Sequence, residues 1–316
     1  MSSVAVSGAG GALTAIALKI TSVTVFVAMS SLIKAAGTVP AGQIVFFRSF
    51  FAIFPILLFL GLKGELGTAF ATKRPLGHVA RGVIGVCSMG LTFTALTRLP
   101  LPDAITLNYA QPLLVVVFSS IFLGEAIRIY RWSAVAVGLV GVVIIAWPEL
   151  TLLTSGSALG EEEVFGVAAA LAGACTSAVA AILVRALVHS ERTATIVLWF
   201  SLMASVLSLL SIPFGWQALS FQQYALLISS GFCGGLGQIL MTSAYRHAEV
   251  SVVAPFEYVS MVLAIVVGFF AFGDVPTLYM LVGGLIVVGA GLFIILRERQ
   301  LGLERASVRK VTGPQG

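Results

Sequence analysis

Residues 41–62 read AGQIVFFRSFFAIFPILLFLGL and contain a single charged residue, Arg48. A helix of this length is long enough to cross the ~30 Å hydrocarbon core of a bilayer. Similar runs recur along the chain, which is 59% hydrophobic and 10% charged, whereas a soluble domain has about 25% charged residues. The runs do not alternate as barrel strands do, so the sequence predicts an all-α integral membrane protein.

Hydropathy and turn residues divide the chain into ten predicted transmembrane helices. Proline-containing turns such as Val39-Pro40 and Trp147-Pro148 separate neighbouring runs, because proline disfavours a continuing helix. Most of the 18 Lys and Arg residues, Lys19 among them, then fall on the side of the N-terminus, which predicts that both termini are cytoplasmic. The predicted spans are 16–36, 41–62, 77–97, 101–123, 129–147, 164–187, 194–213, 222–245, 250–272 and 276–296.

The second half of the chain repeats features of the first. Since each half holds five spans, the second repeat is predicted to be inverted in the membrane, an architecture typical of alternating-access carriers. The predicted organisation is repeat one over 14–148, an extracytoplasmic linker over 149–163, repeat two over 164–297 and a cytoplasmic tail over 298–316. A shift of 149 residues aligns Gly82 with Gly231, Gly85 with Gly234, Tyr109 with Tyr258, and Gly124-Glu125 with Gly273-Asp274.

Five short motifs are distributed over both halves of the chain: Ile44-Val-Phe-Phe-Arg48-Ser, His78-Val-Ala-Arg81-Gly82, Ala95-Leu-Thr-Arg98-Leu-Pro100-Leu-Pro-Asp103-Ala, Leu123-Gly124-Glu125 and Ala254-Pro255-Phe-Glu257-Tyr258. Together these motifs resemble the EamA-type branch of the drug/metabolite transporter superfamily. The resemblance implies ten helices in two inverted five-helix repeats, cytoplasmic termini and a bacterial inner membrane location. It also implies import or export of amino acids, vitamins, nucleotide-like metabolites or similar solutes, and the first half is similar to branches that import riboflavin or S-adenosylmethionine.

Two charged residues inside predicted spans are candidates for binding or coupling, since intramembrane charge is costly and usually has a function. Glu257 follows Pro255, and a carboxylate beside a freed backbone carbonyl suits a cation, a substrate amine or a proton. It could instead be a structural partner of a helix end or of Arg48. Arg48 could clamp a carboxylate or phosphate, or hold two helices together. Lys34 and Arg98, at span ends, fit snorkelling residues.

Polar and aromatic residues of spans three, four, eight and nine complete the predicted substrate site. The repeat places Asn108 and Glu257 in register next to Tyr109 and Tyr258, and paired tyrosines could stack on a flat substrate or simply lie at the membrane interface. Glu125 and Asp274, just past their spans, are interpreted as helix-end or gate residues. The remaining candidates are Gln111, Gln238 and Ser88.

The predicted function is secondary transport of a small organic metabolite, driven by protons or by the solute gradient. No phosphate-binding loop or metal-ligand spacing is present, so neither an enzyme activity nor a cofactor or metal is predicted. The net charge of +5 is dispersed between spans, which argues against nucleic acid. Riboflavin uptake is the preferred hypothesis. Export of amino acids or amines, and a non-transporting scaffold or regulator of the same fold, are the alternatives.

Overall fold

The computed structural model describes residues 9–123, 129–155, 158–188, 190–247 and 254–311, and within these ranges every regular element is helical. Two irregular helical segments matter below, a 3₁₀ segment over Ala254–Tyr258 and a π-helical turn over Gly268–Phe272. The α-helices are α1 Ala9–Ala35, α2 Ala41–Leu62, α3 Pro75–Arg98, α4 Leu101–Asn108, α5 Ala110–Leu123, α6 Ile129–Ser155, α7 Ala158–Val188, α8 Thr193–Leu209, α9 Phe221–His247, α10 Val259–Val267 and α11 Leu278–Val311.

The helices match the predicted membrane spans. Helices long and apolar enough to cross a membrane cover five of them, shorter apolar helices cover four more, and predicted span four is divided between α4 and α5. Many large apolar side chains, such as Phe54 and Leu58, face outward, as expected where the solvent is lipid. The prediction of an all-α membrane fold with ten spans is confirmed. The five longer segments are Leu13–Ala35, Ala41–Leu62, Pro75–Arg98, Glu161–Val184 and Phe221–Met241.

Spans four and nine are interrupted, although the sequence predicted continuous helices over 101–123 and 250–272. Span four breaks at Tyr109, whose amide bonds to Thr106 O at 3.0 Å in a tight turn. The described part of span nine, from Ala254 onward, is first a 3₁₀ segment, changes to α-helix after Tyr258, and ends in the π-helical turn. Tyr109 and Tyr258 are aligned by the 149-residue shift, so the two breaks occupy equivalent places in the two repeats.

Several helices extend beyond their predicted spans. α6 runs to Ser155 and α7 starts at Ala158, so the described part of the predicted linker is helical. α11 continues to Val311 and includes much of the predicted tail. These extensions contain polar and charged residues, and hydropathy marks the end of the apolar run rather than the end of the helix.

The two repeats interlock through closely packed helices. α9 packs on α1 and α2, α3 packs on α7, and α11 packs on α6. Glycines permit the closest approaches: a Cβ on Gly235 would lie 2.6 Å from Ala52 O, and one on Gly283 would lie 2.6 Å from Gly141 O. Backbone this close leaves no room for a side chain, which is typical of small-residue packing in membrane helices.

Candidate functional site

An ion pair joins span one of the first repeat to span nine of the second repeat. The ammonium group of Lys19 on α1 donates to the carboxylate of Glu257 in the 3₁₀ segment. The Lys19 side chain is completely buried, whereas the Glu257 side chain is 45% exposed. The sequence offered Arg48 as the possible structural partner of Glu257, and that alternative is wrong. The sequence predicts Lys19 at the cytoplasmic flank of span one, because a lysine near the end of an apolar run usually reaches the interface.

The aligned tyrosines lie together beside this pair. The rings of Tyr109 and Tyr258 meet edge to face, with centroids 5.2 Å apart, and the Glu257 carboxylate is close enough to act on both phenols electrostatically. Ser260 donates to Glu257 O at 2.6 Å. Its only hydroxyl proton is used there, so Tyr109 is the donor in the Tyr109–Ser260 hydrogen bond. The tyrosines therefore help to hold the broken span nine.

A glycine provides the space for Tyr258. A Cβ at Gly291 on α11 would lie 1.7 Å from the Tyr258 hydroxyl oxygen.

Asn108, the repeat partner of Glu257, has a buried Oδ1 with no hydrogen-bond donor in the part of the chain that the structure describes. An orphaned buried acceptor is uncommon in folded proteins, and this one lies directly before the break at Tyr109.

A second cluster is formed by two arginines. Arg48 on α2 is 5% exposed, and Arg81 on α3 is largely buried. The two guanidinium groups are near enough to repel each other. Within the described ranges neither has a carboxylate partner, and Arg48 Nε, Arg81 Nε and Arg81 Nη1 make no hydrogen bond. Arg48 is one of the candidate residues predicted from the sequence, whereas Arg81 appears there only within a family motif.

The other predicted site residues are more dispersed. Ser88 donates to Gly173 O at 3.3 Å and bonds to Ser177, so it lies in the contact between α3 and α7. Gln111 on α5 and Gln238 on α9 are half-buried. Neither makes a hydrogen bond to the ion pair or to the arginines in the described structure.

One end of the bundle is tied by a lysine and an aspartate. Lys34 Nζ donates to Leu99 O at 2.7 Å and lies 3.6 Å from Asp274 Oδ2. The same oxygen accepts from Leu101 N at 2.9 Å. Lys34 is therefore part of a link between the repeats rather than a simple snorkelling residue. Glu125, the repeat partner of Asp274, lies outside the described residues.

The opposite end is tied by a glutamate between α7 and α8. Glu191 Oε1 accepts from Thr72 Oγ1 at 2.8 Å, from Lys73 N at 2.7 Å and from Arg74 N at 3.1 Å, just before α3 begins. Burial alone would raise the pKa of the Glu191 carboxyl, but these hydrogen bonds outweigh burial and hold the pKa below its usual range. Glu191 therefore joins the repeats on this side.

Sequence comparisons agree with this architecture. The EamA-like transporter family matches residues 9–147 and 164–297. The pseudopaline exporter CntI of Pseudomonas aeruginosa is 32% identical over 271 residues, covering 84% of this chain and 90% of that protein. An S-adenosylmethionine uptake transporter of Rickettsia bellii is 27% identical, covering 82% of this chain and 84% of that protein.

Two further similarities extend the comparison. A riboflavin transporter of Rhizobium johnstonii is 27% identical over 260 residues, covering 82% of each chain. A solved crystal structure shares the fold with a TM-score of 0.64 at 19% identity, covering 92% of this chain and 99% of that one. The family match extends over both halves of the chain and the curated relatives are transporters, so the predicted resemblance is confirmed. The chain belongs to the EamA-like transporter family, and it is a membrane transporter of that type.

Proposed function

We propose that the protein is a secondary-active carrier that moves a small charged metabolite by alternating access across a bacterial inner membrane, with both termini in the cytoplasm. The observation that carries this proposal is the intramembrane ion pair between Lys19 and Glu257. It connects a helix of repeat one to an interrupted span of repeat two, and interrupted spans are where carriers commonly bind their substrates.

The geometry of the ion pair allows another cation to replace Lys19 at the Glu257 carboxylate. Lys19 is fully buried and Glu257 is partly exposed, so a new cation can reach the carboxylate and compete with the lysine. A proton or a positively charged group of the substrate would weaken the link between the repeats. A ligand shifts a conformational equilibrium only by binding one state more tightly. Competition for Glu257 supplies such a difference, because it removes a contact that one arrangement of the repeats needs.

A substrate with a cationic group fits this site best. An amine or a sulfonium is the chemical group that a carboxylate attracts, and S-adenosylmethionine, the cargo in the name of the Rickettsia relatives, carries both. The relatives include both an exporter and uptake transporters, so the direction of transport is left to experiment. Amino acids and amines belong to the same class of cationic or zwitterionic solutes.

Riboflavin uptake is the second candidate. The tyrosine pair Tyr109–Tyr258 favours it, as does the similarity to riboflavin transporters. It ranks second because riboflavin is uncharged at neutral pH and would not need the charged groups described above. Both tyrosines also pack on each other, and Tyr109 is hydrogen-bonded to Ser260, so their rings are not an open stacking platform.

Counterflow in proteoliposomes tests the proposal without assuming a direction. Purified protein is reconstituted in vesicles loaded with unlabelled S-adenosylmethionine, riboflavin or lysine, and accumulation of the labelled solute is measured. We expect accumulation of S-adenosylmethionine or lysine by wild type and by Glu162→Gln, a surface control. We expect strongly reduced accumulation by Glu257→Gln.

Each other outcome has a definite meaning. Accumulation of riboflavin alone would replace the leading candidate by the second. Equal counterflow of a charged solute by wild type and Glu257→Gln would remove Glu257 from the mechanism. Absence of counterflow for all three solutes, with the protein correctly inserted, would count against the proposed substrates and favour the scaffold alternative.

A further inference from the structure

Arg48 and Arg81 are buried cations that take no part in the ion pair between Lys19 and Glu257. Among the described residues, three buried guanidinium nitrogens of Arg48 and Arg81 have no hydrogen-bond acceptor, and the two positive charges repel each other. Arg81 also stacks on Phe200, with the guanidinium carbon 4.1 Å from the ring centroid. An aromatic face interacts favourably with a cation but offers no hydrogen-bond acceptor in the plane of the guanidinium fork.

A glycine at an equivalent position of each repeat leaves space for one of these arginine side chains. A Cβ on Gly85 would lie 2.0 Å from Arg81 Nη1, and a Cβ on Gly234 would lie 3.0 Å from Arg48 Nε. Gly85 and Gly234 are aligned by the internal repeat. The absence of a side chain at both positions leaves room for a guanidinium group.

The pair lies at the interface of the repeats. Arg48 belongs to α2 and Arg81 to α3, while Gly234 on α9 and Phe200 on α8 come from repeat two. Met29 Sδ lies 3.2 Å from the same Gly234 position. Since Met29 and Lys19 are both on α1, Arg48 lies about 15 Å along that helix from Lys19.

Two neighbouring buried cations without a counter-ion are unfavourable, because each has lost its hydration and each repels the other. An oxyanion between them would satisfy both guanidinium forks, which match the planar geometry of carboxylate and the oxygens of phosphate. A neutral ligand would leave the repulsion in place. The chemistry of these two side chains therefore favours an acidic group as ligand.

We propose that Arg48 and Arg81 form an oxyanion subsite that binds the carboxylate or phosphate of the transported metabolite. This inference rests on the proposed function and narrows its substrate class. The transported solute carries an acidic group for the arginines, and a cationic group of the same molecule can compete for Glu257. Neutral solutes and simple amines without an acid are excluded from the full site.

Thermal unfolding of the full-length protein in detergent tests the subsite directly. The unfolding midpoint is measured with increasing citrate as a carboxylate probe and with inorganic phosphate, both against sodium chloride at equal ionic strength. We expect a saturable rise of the midpoint in wild type with at least one of the two anions. We expect no rise in Arg48→Gln or Arg81→Gln.

Arg98→Gln is the matched control. Arg98 also contacts an aromatic ring, Phe165 at 4.9 Å, but its Nε already bonds to Glu162 at 2.8 Å. We expect this variant to keep the anion-dependent rise. Absence of a rise in wild type, or an equal loss in all three variants, would overturn the proposal. A rise with phosphatidylglycerol but with neither soluble anion would also overturn it, since the ligand would then be a lipid headgroup.

The unfolding experiment tests the oxyanion subsite, and the counterflow experiment tests the proposed function, so either can fail without the other. Counterflow of riboflavin or lysine without arginine-dependent stabilisation would keep the protein a carrier and remove the oxyanion subsite. Arginine-dependent stabilisation without counterflow of any tested solute would keep the subsite and remove the solutes proposed above.

Discussion

Lys19 and Glu257 form an ion pair across 238 residues of sequence, and the two partners differ sharply in accessibility. Lys19 is shielded from solvent, whereas nearly half of the Glu257 side chain is exposed. The lysine therefore depends on the carboxylate for charge compensation, while the carboxylate can be reached by other cations. Because of this asymmetry, we expect substitutions of Lys19 and of Glu257 to have different effects on the protein.

Removal of the carboxylate should destabilise the protein. Glu257→Gln removes the carboxylate that pairs with the buried Lys19, and we expect a loss of roughly 1–3 kcal/mol, less than for a fully buried pair because Glu257 is partly exposed. Lys19→Met combined with Glu257→Gln should recover most of this loss, since no buried charge remains. The measurement is thermal unfolding in detergent. A double variant less stable than Glu257→Gln would contradict this account of the pair.

The pH dependence of transport should depend on the carboxylate of Glu257. If a proton competes with Lys19 for Glu257, the counterflow rate of wild type changes with pH, whereas that of Glu257→Gln is low and constant. The neighbouring charged or titratable groups in this cluster are Lys19, Tyr109 and Tyr258. Glu162→Gln, which alters an exposed carboxylate, should keep the wild-type profile. A Glu257→Gln variant with an unchanged pH profile would exclude this coupling.

Gly291→Ala should disturb the tyrosine pair. The added methyl group would overlap the Tyr258 hydroxyl, so the ring must leave its contact with Tyr109. We expect a destabilisation of roughly 1–3 kcal/mol and reduced counterflow. Gly289→Ala on the same helix meets no atom within 4 Å and should be neutral or slightly stabilising. Tyr258→Phe should rescue Gly291→Ala only in part, because the ring carbon Cζ would still lie 2.9 Å from the new Cβ. Equal stability of the two alanine variants would refute this packing argument.

Substitution of Arg48 should raise the stability of the ligand-free protein and lower its transport activity. Replacing Arg48 by Met removes one of two buried charges that repel each other, so we expect the ligand-free protein to be more stable by about 1–3 kcal/mol. The same variant should lose counterflow of an acidic solute. Thermal unfolding and counterflow on one preparation measure both effects. If Arg48 only held helices together, the substitution would lower the unfolding midpoint.

The sequence predicted the membrane fold because hydropathy and helix length are local properties. A stretch such as 41–62 needs no tertiary information to be recognised as a span, and it forms α2 over Ala41–Leu62. The interruption at Tyr109 was missed for the same reason. Residues 101–123 are apolar throughout most of their length, and a break of one residue leaves hydropathy unchanged.

The candidate site could be predicted only in part. Glu257 and Arg48 stood out because each is a charge inside an apolar run, and the repeat register correctly paired Tyr109 with Tyr258. Lys19 and Arg81 lie near the ends of their runs, where a long cationic side chain usually reaches the interface. Their roles depend on contacts made after folding, with a residue 238 positions away in one case and with a second arginine in the other.

The link at Glu191 gives a prediction that is independent of the substrate. Because hydrogen bonds hold the pKa of Glu191 below its usual range in the folded protein, the contribution of this carboxylate to stability is complete above the ordinary glutamate pKa of about 4.3. It is lost as pH falls through the lower folded value, where the carboxylate takes up a proton. Wild type should therefore unfold at a higher temperature than Glu191→Gln at pH 7, and the difference should shrink as the pH is lowered toward 3. Glu161→Gln changes an exposed carboxylate on α7 and should show no such pH-dependent difference from wild type. A difference between wild type and Glu191→Gln that stays constant across this range would mean that the glutamate acts through its shape and not through its charge.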